Sequence, residues 1–376
     1  MKSKIYILLL LLLSTTLTSV TYADDALPLP QHLFRFTINT AYSNFDTQFG
    51  QSSKESLGQE LTDFFTATTP TAEATPETTI FRQDFITEYG VTDRVSTQIQ
   101  IPFYSFAESV INSNDDMRNI IATLNATGEG TVGKAGYMFT QKIKNGEAKA
   151  LLGDITVGVK YQLFNTAGTP LDQRPGTFRG AVAVGLSIPT GSVVTDPLSN
   201  DLGTTKSGVA EVNYGLRTYW DYQIRKDIYV NLYTEHEYRP VGSYQMLDIH
   251  QGATTTYDIV AMEFDPGEYH KVELDFAIYP QLNKKWRSAS GFKIIGEFNT
   301  EGEYSRYPST YGDEANDATT KQSSELYSFQ PYLGLFLKDG PFPLEAKLKY
   351  TYPIMGRNAA SAQVIELQCR AYLKFW

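Results

Sequence analysis

The last stretch of the chain carries the strongest constraint on its fold. Across residues 362–376, Ile365, Leu367, Cys369, Ala371, Leu373 and Phe375 alternate with Glu366, Gln368, Arg370, Tyr372 and Lys374, and the sequence stops at Trp376. A period of two places these sets on opposite faces of a strand. One face suits lipid and the other, charged, suits water. A sheet closed on itself satisfies both, because it leaves no unpaired backbone edge in hydrocarbon. Eleven earlier stretches repeat the pattern, at 31–42, 79–90, 94–106, 151–164, 177–189, 208–222, 226–240, 269–281, 286–301, 325–337 and 342–355. The gaps between them are alternately long and short. This rhythm predicts an all-β fold, a transmembrane antiparallel β-barrel of about 12 strands with long extracellular loops and short periplasmic turns. A soluble β-sandwich explains neither the loop asymmetry nor the terminal Phe375-Trp376, which reads as the membrane-assembly signal.

The N-terminus agrees with export. Lys2 and Lys4 precede an apolar run over 5–13, and a polar stretch ends in Thr21-Tyr22-Ala23. A run of this length is a signal-peptide core, since a spanning helix needs about 20 apolar residues. Cleavage after about Ala23 would leave residues 24–376 as one barrel domain in the bacterial outer membrane. Mean hydropathy is below zero, as expected when only alternate residues face lipid. The 25 Tyr, 21 Phe and 3 Trp suit the aromatic girdles of such barrels. The single cysteine, Cys369, excludes a disulfide framework. A net charge of −10 lacks the cationic surface that nucleic acid requires.

Three stretches carry a family likeness: Glu88-Tyr-Gly-Val-Thr-Asp-Arg-Val, Gly153-Asp-Ile-Thr-Val-Gly-Val-Lys-Tyr161 and Gly185-Leu-Ser-Ile-Pro-Thr-Gly191. Together they resemble the outer-membrane "meta-pathway of phenol degradation" family, related to the long-chain fatty acid transporter group. The likeness covers roughly residues 80–220. It implies a barrel that takes up hydrophobic compounds. Fatty-acid transporters of that group begin with a plug domain inside the barrel. Here only residues 24–30 lie between the expected cut and the first strand, so another element is expected to close any closed lumen.

The inward faces hold charges of both signs. The candidate lumen or constriction residues are Arg82, Asp84, Glu88, Lys160, Arg217, Tyr229, Tyr233, Glu235, Glu237, Lys271 and Glu273. Such charges either line a water-filled pore and set its selectivity, or pair across strands and fill a narrow lumen. A bore of about 12 strands lies between filled eight-stranded barrels and open porins and favours the paired, partly occluded arrangement. Tyr229 and Tyr233 either form a slide for an aromatic solute or fill space and hydrogen-bond the charges. Residues 114–124 have helical spacing inside a long loop, as a constriction or as a loop tip packed on its own barrel.

Other chemistry finds little footing. Gly128-Glu-Gly-Thr-Val-Gly-Lys134 approximates a phosphate-binding loop, but Ala135 stands where Ser or Thr is required. It reads as a flexible glycine loop, and no cofactor is expected. None of His32, His236, His250 and His270 has the neighbouring Ser that a twelve-stranded phospholipase uses. No catalytic constellation and no ligand cluster with metal spacing is visible. The expectation is a non-enzymatic channel or transporter for small hydrophobic or aromatic solutes. Its partners are outer-membrane lipid and the barrel-assembly machinery, reached through the C-terminal strand. The rival is a surface barrel whose long loops bind a partner.

Overall fold

A computed structural model describes residues 26–50, 53–56, 74–113, 148–191, 211–250, 256–265, 267–301, 303–305, 323–338 and 342–374. The expected leader, the helical spacing at 114–124, the glycine loop at 128–134 and Phe375-Trp376 lie outside the described residues. Every described element is a strand.

Twelve strands form the barrel: β1 (Leu33–Phe45), β2 (Ala74–Thr92), β3 (Val95–Ser113), β4 (Ile155–Asn165), β5 (Phe178–Ile188), β6 (Asn213–Arg225), β7 (Ile228–Tyr238), β8 (Tyr269–Ile278), β9 (Trp286–Asn299), β10 (Ser324–Leu337), β11 (Leu344–Arg357) and β12 (Gln363–Lys374). Each pairs antiparallel with its sequence neighbours. Closure comes from β1 against β12, in continuous register from Leu33↔Lys374 to Asn44↔Gln363. No barrel edge is left open.

The alternation sorts as the sequence predicts. Ile38, Ile99, Val184, Leu216, Ile294, Leu333 and Leu367 stand on the outer surface, each more than 40% exposed. The partners one residue away along the chain point inward, and many are polar and buried, among them Arg35, Thr37, Gln368 and Arg370. A polar interior inside an apolar shell inverts a soluble protein and matches a barrel whose solvent is lipid. Aromatic rings mark both ends of the shell. Tyr214 and Tyr238 meet near the long loops, at 6.3 Å, and Phe178 stacks on Trp220 nearer the short turns, at 6.2 Å.

Strand boundaries differ from expectation mainly at the long-loop end. β2 and β3 each run 19 residues, well beyond the roughly 9–11 that cross a bilayer, so segments expected to be loop continue as a paired ribbon. The expected fourth strand is broken. Ala148–Leu152 and β4 both pair with β3, and Gly153-Asp154 interrupts them. This break is a clasp. Thr190 Oγ1 accepts from Ile155 N at 2.9 Å and donates to Gly153 O at 3.0 Å. Asp154 Oδ1 accepts from Gly191 N at 2.9 Å. The Gly-Asp and Pro-Thr-Gly motifs that carry the family likeness therefore touch each other. The expected loop over 241–268 also contains paired strands, Gly242–His250 and Thr256–Asp265.

A charge placed on the outer face at mid-depth tests this orientation. Ile294→Arg is expected to lower folding stability by about 2–4 kcal/mol, read by denaturant unfolding in lipid vesicles. An unchanged unfolding midpoint would contradict the lipid-facing assignment.

Candidate lumen site

At the short-turn end residues 26–30 are seated inside the lumen and narrow it, where another element was expected to do so. Ala26, Leu27 and Leu29 are 5% exposed or less. Lys160 Nζ donates to Leu27 O at 3.2 Å, and Gln162 Nε2 to Ala26 O at 3.4 Å. Leu29 packs with Leu33 and Tyr372, and Phe336 lies against them. The segment thus runs from the β1–β12 seam across to β4. Gly90 makes room for it, since a Cβ there would sit 2.0 Å from Pro30 O. Sequence reasoning missed this seat because five uncharged residues carry no periodicity.

Behind the segment lies a buried floor. Arg179 and Asp221 have fully buried side chains; Nε donates to Oδ1 at 2.8 Å and Nη2 lies 2.7 Å from Oδ2. Asp275 accepts from Tyr332 Oη at 2.9 Å and from Asn231 Nδ2 at 3.3 Å. Tyr229, Tyr279 and Tyr332 pack with Ala277 and Ala289. Glu345 sits between Lys347 at 2.9 Å and Arg370 at 3.5 Å. Tyr229 therefore fills space in the floor. Arg179 was not among the expected residues, although its inward phase with Ala181 was available as a signal.

Above the floor opens a cavity of about 370 Å³. Glu88, Lys160, Arg217, Tyr233, Glu235, Glu237, Lys271 and Glu273 line it, as do Arg35, Tyr219, Lys293, Lys349, Glu366 and Arg370. Of the expected residues, Tyr229, Arg82 and Asp84 lie outside it; Arg82 pairs with Asp84 at 2.8 Å. Its carboxylates are neutralised by neighbours. Arg35 forks onto Glu88. Arg217 binds Glu235 at 2.6 Å. Lys271 and Lys293 bracket Glu273 at 2.8 and 2.7 Å. Lys349 holds Glu366 at 2.7 Å, and Arg239 holds Glu237 at 2.9 Å. Most of these cross between strands: Arg35↔Glu88, Arg217↔Glu235 and Lys349↔Glu366 are register partners, and Lys293 reaches Glu273 two residues from its own register partner Asp275. Seven cationic side chains and five carboxylates line the space, an excess of two positive charges.

One wall is almost bare. Gly158, Gly185 and Gly215 are register partners on β4, β5 and β6 and all line the cavity. The absent side chains widen the cavity on that side. Beside this wall, Lys160 Nζ lies 4.2 Å from the centre of the Tyr219 ring. Tyr219 meets Tyr233 at 5.2 Å, and Tyr233 Oη donates to Glu235 at 2.7 Å. The two rings form an aromatic ledge anchored to the ion pairs.

Compared with models of known families and with curated proteins, the sequence matches none. Solved structures do resemble it in fold. The COG4313 outer membrane channel from Pseudomonas putida F1 is 13% identical over 94% of this chain and 100% of that one, with a TM-score of 0.57. The translocator domain of the autotransporter NalP from Neisseria meningitidis is 8% identical over 100% of this chain and 95% of that one, at 0.42. A TodX monoaromatic hydrocarbon channel is 10% identical over 93% and 91%, at 0.40. The first likeness is one of fold: a closed antiparallel outer-membrane-type barrel.

The buried floor pair gives a sharp test. Arg179→Met strands Asp221 and is expected to cost about 3–5 kcal/mol, with Arg179→Met/Asp221→Leu recovering most of it. Equal losses in the single and double variants, read by unfolding in vesicles, would contradict this, since removing the stranded carboxylate would then bring no relief.

Proposed function

We propose that this chain is an outer-membrane channel that passes small solutes passively, with aromatic or other hydrophobic compounds as its cargo class. The observation that carries the channel reading is open space of solute size inside a closed, lipid-facing barrel. On this reading the long-loop end faces outside, and the short turns and the segment 26–30 face the periplasm. Residues 1–23 act as a cleaved export leader, and the C-terminal strand engages the assembly machinery.

Two features support the cargo class. Pairing of the lumen charges cancels most of their field, so a neutral solute meets few unbalanced charges. The Tyr219–Tyr233 ledge offers π faces beside the bare glycine wall, a surface on which a flat ring can stack. The mid-chain resemblance points the same way. Movement is driven by the solute gradient, with no residue of the lumen assigned to energy coupling.

The segment 26–30 sets how open the path is. Refolded protein in a planar bilayer is expected to give small, salt-dependent current steps with slight anion preference, from the two excess positive charges. Gly90→Leu, which expels Pro30 from its seat, is expected to raise the conductance severalfold, as is deletion of residues 26–30. Conductance unchanged by both variants would show that the segment does not control the path. Uptake of labelled aromatic solutes by cells with and without the protein tests the cargo; equal uptake of every solute would sink that assignment.

One observation favours a second reading. The β2–β3 ribbon and the strands Gly242–His250 and Thr256–Asp265 extend paired backbone beyond the barrel, a surface on which a partner could dock. Trimming the ribbon would then abolish partner binding and leave conductance unchanged.

A further inference from the structure

Among the described residues, the outer surface carries a histidine pair that packing in lipid does not explain. His236 and His270 are cross-strand partners on β7 and β8. They continue the outward rows of Leu232 and of Val272, Phe276 and Ile278, at the strand ends near the long loops. Their register neighbours on β6 and β9 are Leu216 and Phe298. The rings turn toward each other, with centroids 5.0 Å apart and planes at 70°. Nδ1 faces Nδ1 at 2.8 Å. Behind His270, Glu268 Oε2 lies 3.4 Å from Nε2.

We propose that His236 and His270 chelate a divalent transition-metal cation, of which Zn²⁺ is the natural representative, through their two Nδ1 atoms. Three features fit that chemistry. Imidazole nitrogens suit Zn²⁺, Cu²⁺ and Ni²⁺. A carboxylate on the far nitrogen of a ligating histidine holds the proton there and leaves the near nitrogen's lone pair free. Glu268 stands in that place. Finally, two nitrogens bound to tetrahedral zinc at about 2.0–2.1 Å lie roughly 3.3 Å apart, so the pair needs to open by only about half an ångström. In the metal-free pair one Nδ1 donates to the other; on binding, the donor ring carries its proton on Nε2 instead, so that both Nδ1 lone pairs face the cation.

Among the described residues no three His, Cys, Asp or Glu side chains converge as a metal set. The site is therefore a two-nitrogen chelate on the outer face, next to the Tyr214–Tyr238 ring pair at the long-loop end. Sequence spacing could not reveal it, because the ligands are 34 residues apart and only the β7–β8 register joins them. They stand at the two ends of the long excursion between those strands. A cation there would staple the base of that excursion to the barrel rim. The inference is independent of the channel reading.

The test uses tag-free, full-length protein refolded in detergent and stripped by chelator, titrated with Zn²⁺ in a calorimeter. One cation per chain is expected. His236→Gln and His270→Gln should each weaken binding at least tenfold, Glu268→Gln should weaken it less, and His32→Gln and His250→Gln should leave it unchanged. Cu²⁺ bound to the same protein should show two equivalent nitrogens by electron paramagnetic resonance, lost in the double histidine variant. The proposal is overturned if the folded wild type takes up no cation, or if uptake persists in His236→Gln/His270→Gln.

Discussion

The structure depends on one constraint: a peptide group in hydrocarbon must find its partner within the protein. An amide left unpaired there costs several kcal/mol, and a twelve-stranded sheet with two free edges would expose a row of them. The β1–β12 ladder removes that penalty. Once the sheet closes, the side-chain period of two assigns every residue to lipid or lumen, and a slip of one residue in any ladder would exchange the two sets. The register is therefore pinned by the apolar shell and, from inside, by the charges.

Those charges are the second organising element. Buried carboxylates and cations are costly alone, and they persist because each carboxylate has a cation beside it, across the ladder or two residues along its own strand. Arg179–Asp221 sits fully buried in the floor, while Lys271, Glu273 and Lys293 share charge across β8 and β9 beside the cavity. The pairs project into the bore from most of its strands, and the cavity they surround is widened on the side where β4, β5 and β6 present glycine. Wall chemistry and cavity shape thus have one origin, the choice of residue at inward positions.

Much of this was legible in the sequence. Strand number, pairing order and the inward assignment of Glu88, Lys160, Arg217, Glu235, Lys271 and Glu273 follow from alternation, because burial in a barrel depends on period and little else. What alternation does not encode was missed. The seating of residues 26–30 depends on the carbonyl–side-chain contacts to Lys160 and Gln162 and on the absent Cβ of Gly90. The placing of Tyr229 in the floor and Tyr233 in the cavity depends on depth along β7, which a period of two does not report. The clasp at Gly153-Asp154 and the His236–His270 pair are contacts between strands, invisible until the register is known.

A polar lumen lies inside a lipid-facing barrel, with the two faces alternating residue by residue. The most direct measurement is thiol accessibility along β5 in a Cys369→Ser background. Single cysteines at Ala183 and Ser187 face the lumen, and those at Val184 and Leu186 face lipid. A membrane-impermeant thiol reagent should label Ala183→Cys and Ser187→Cys in folded, membrane-inserted protein and leave Val184→Cys and Leu186→Cys unmodified. Equal labelling of both sets, or protection of the lumen pair, would contradict this arrangement of faces.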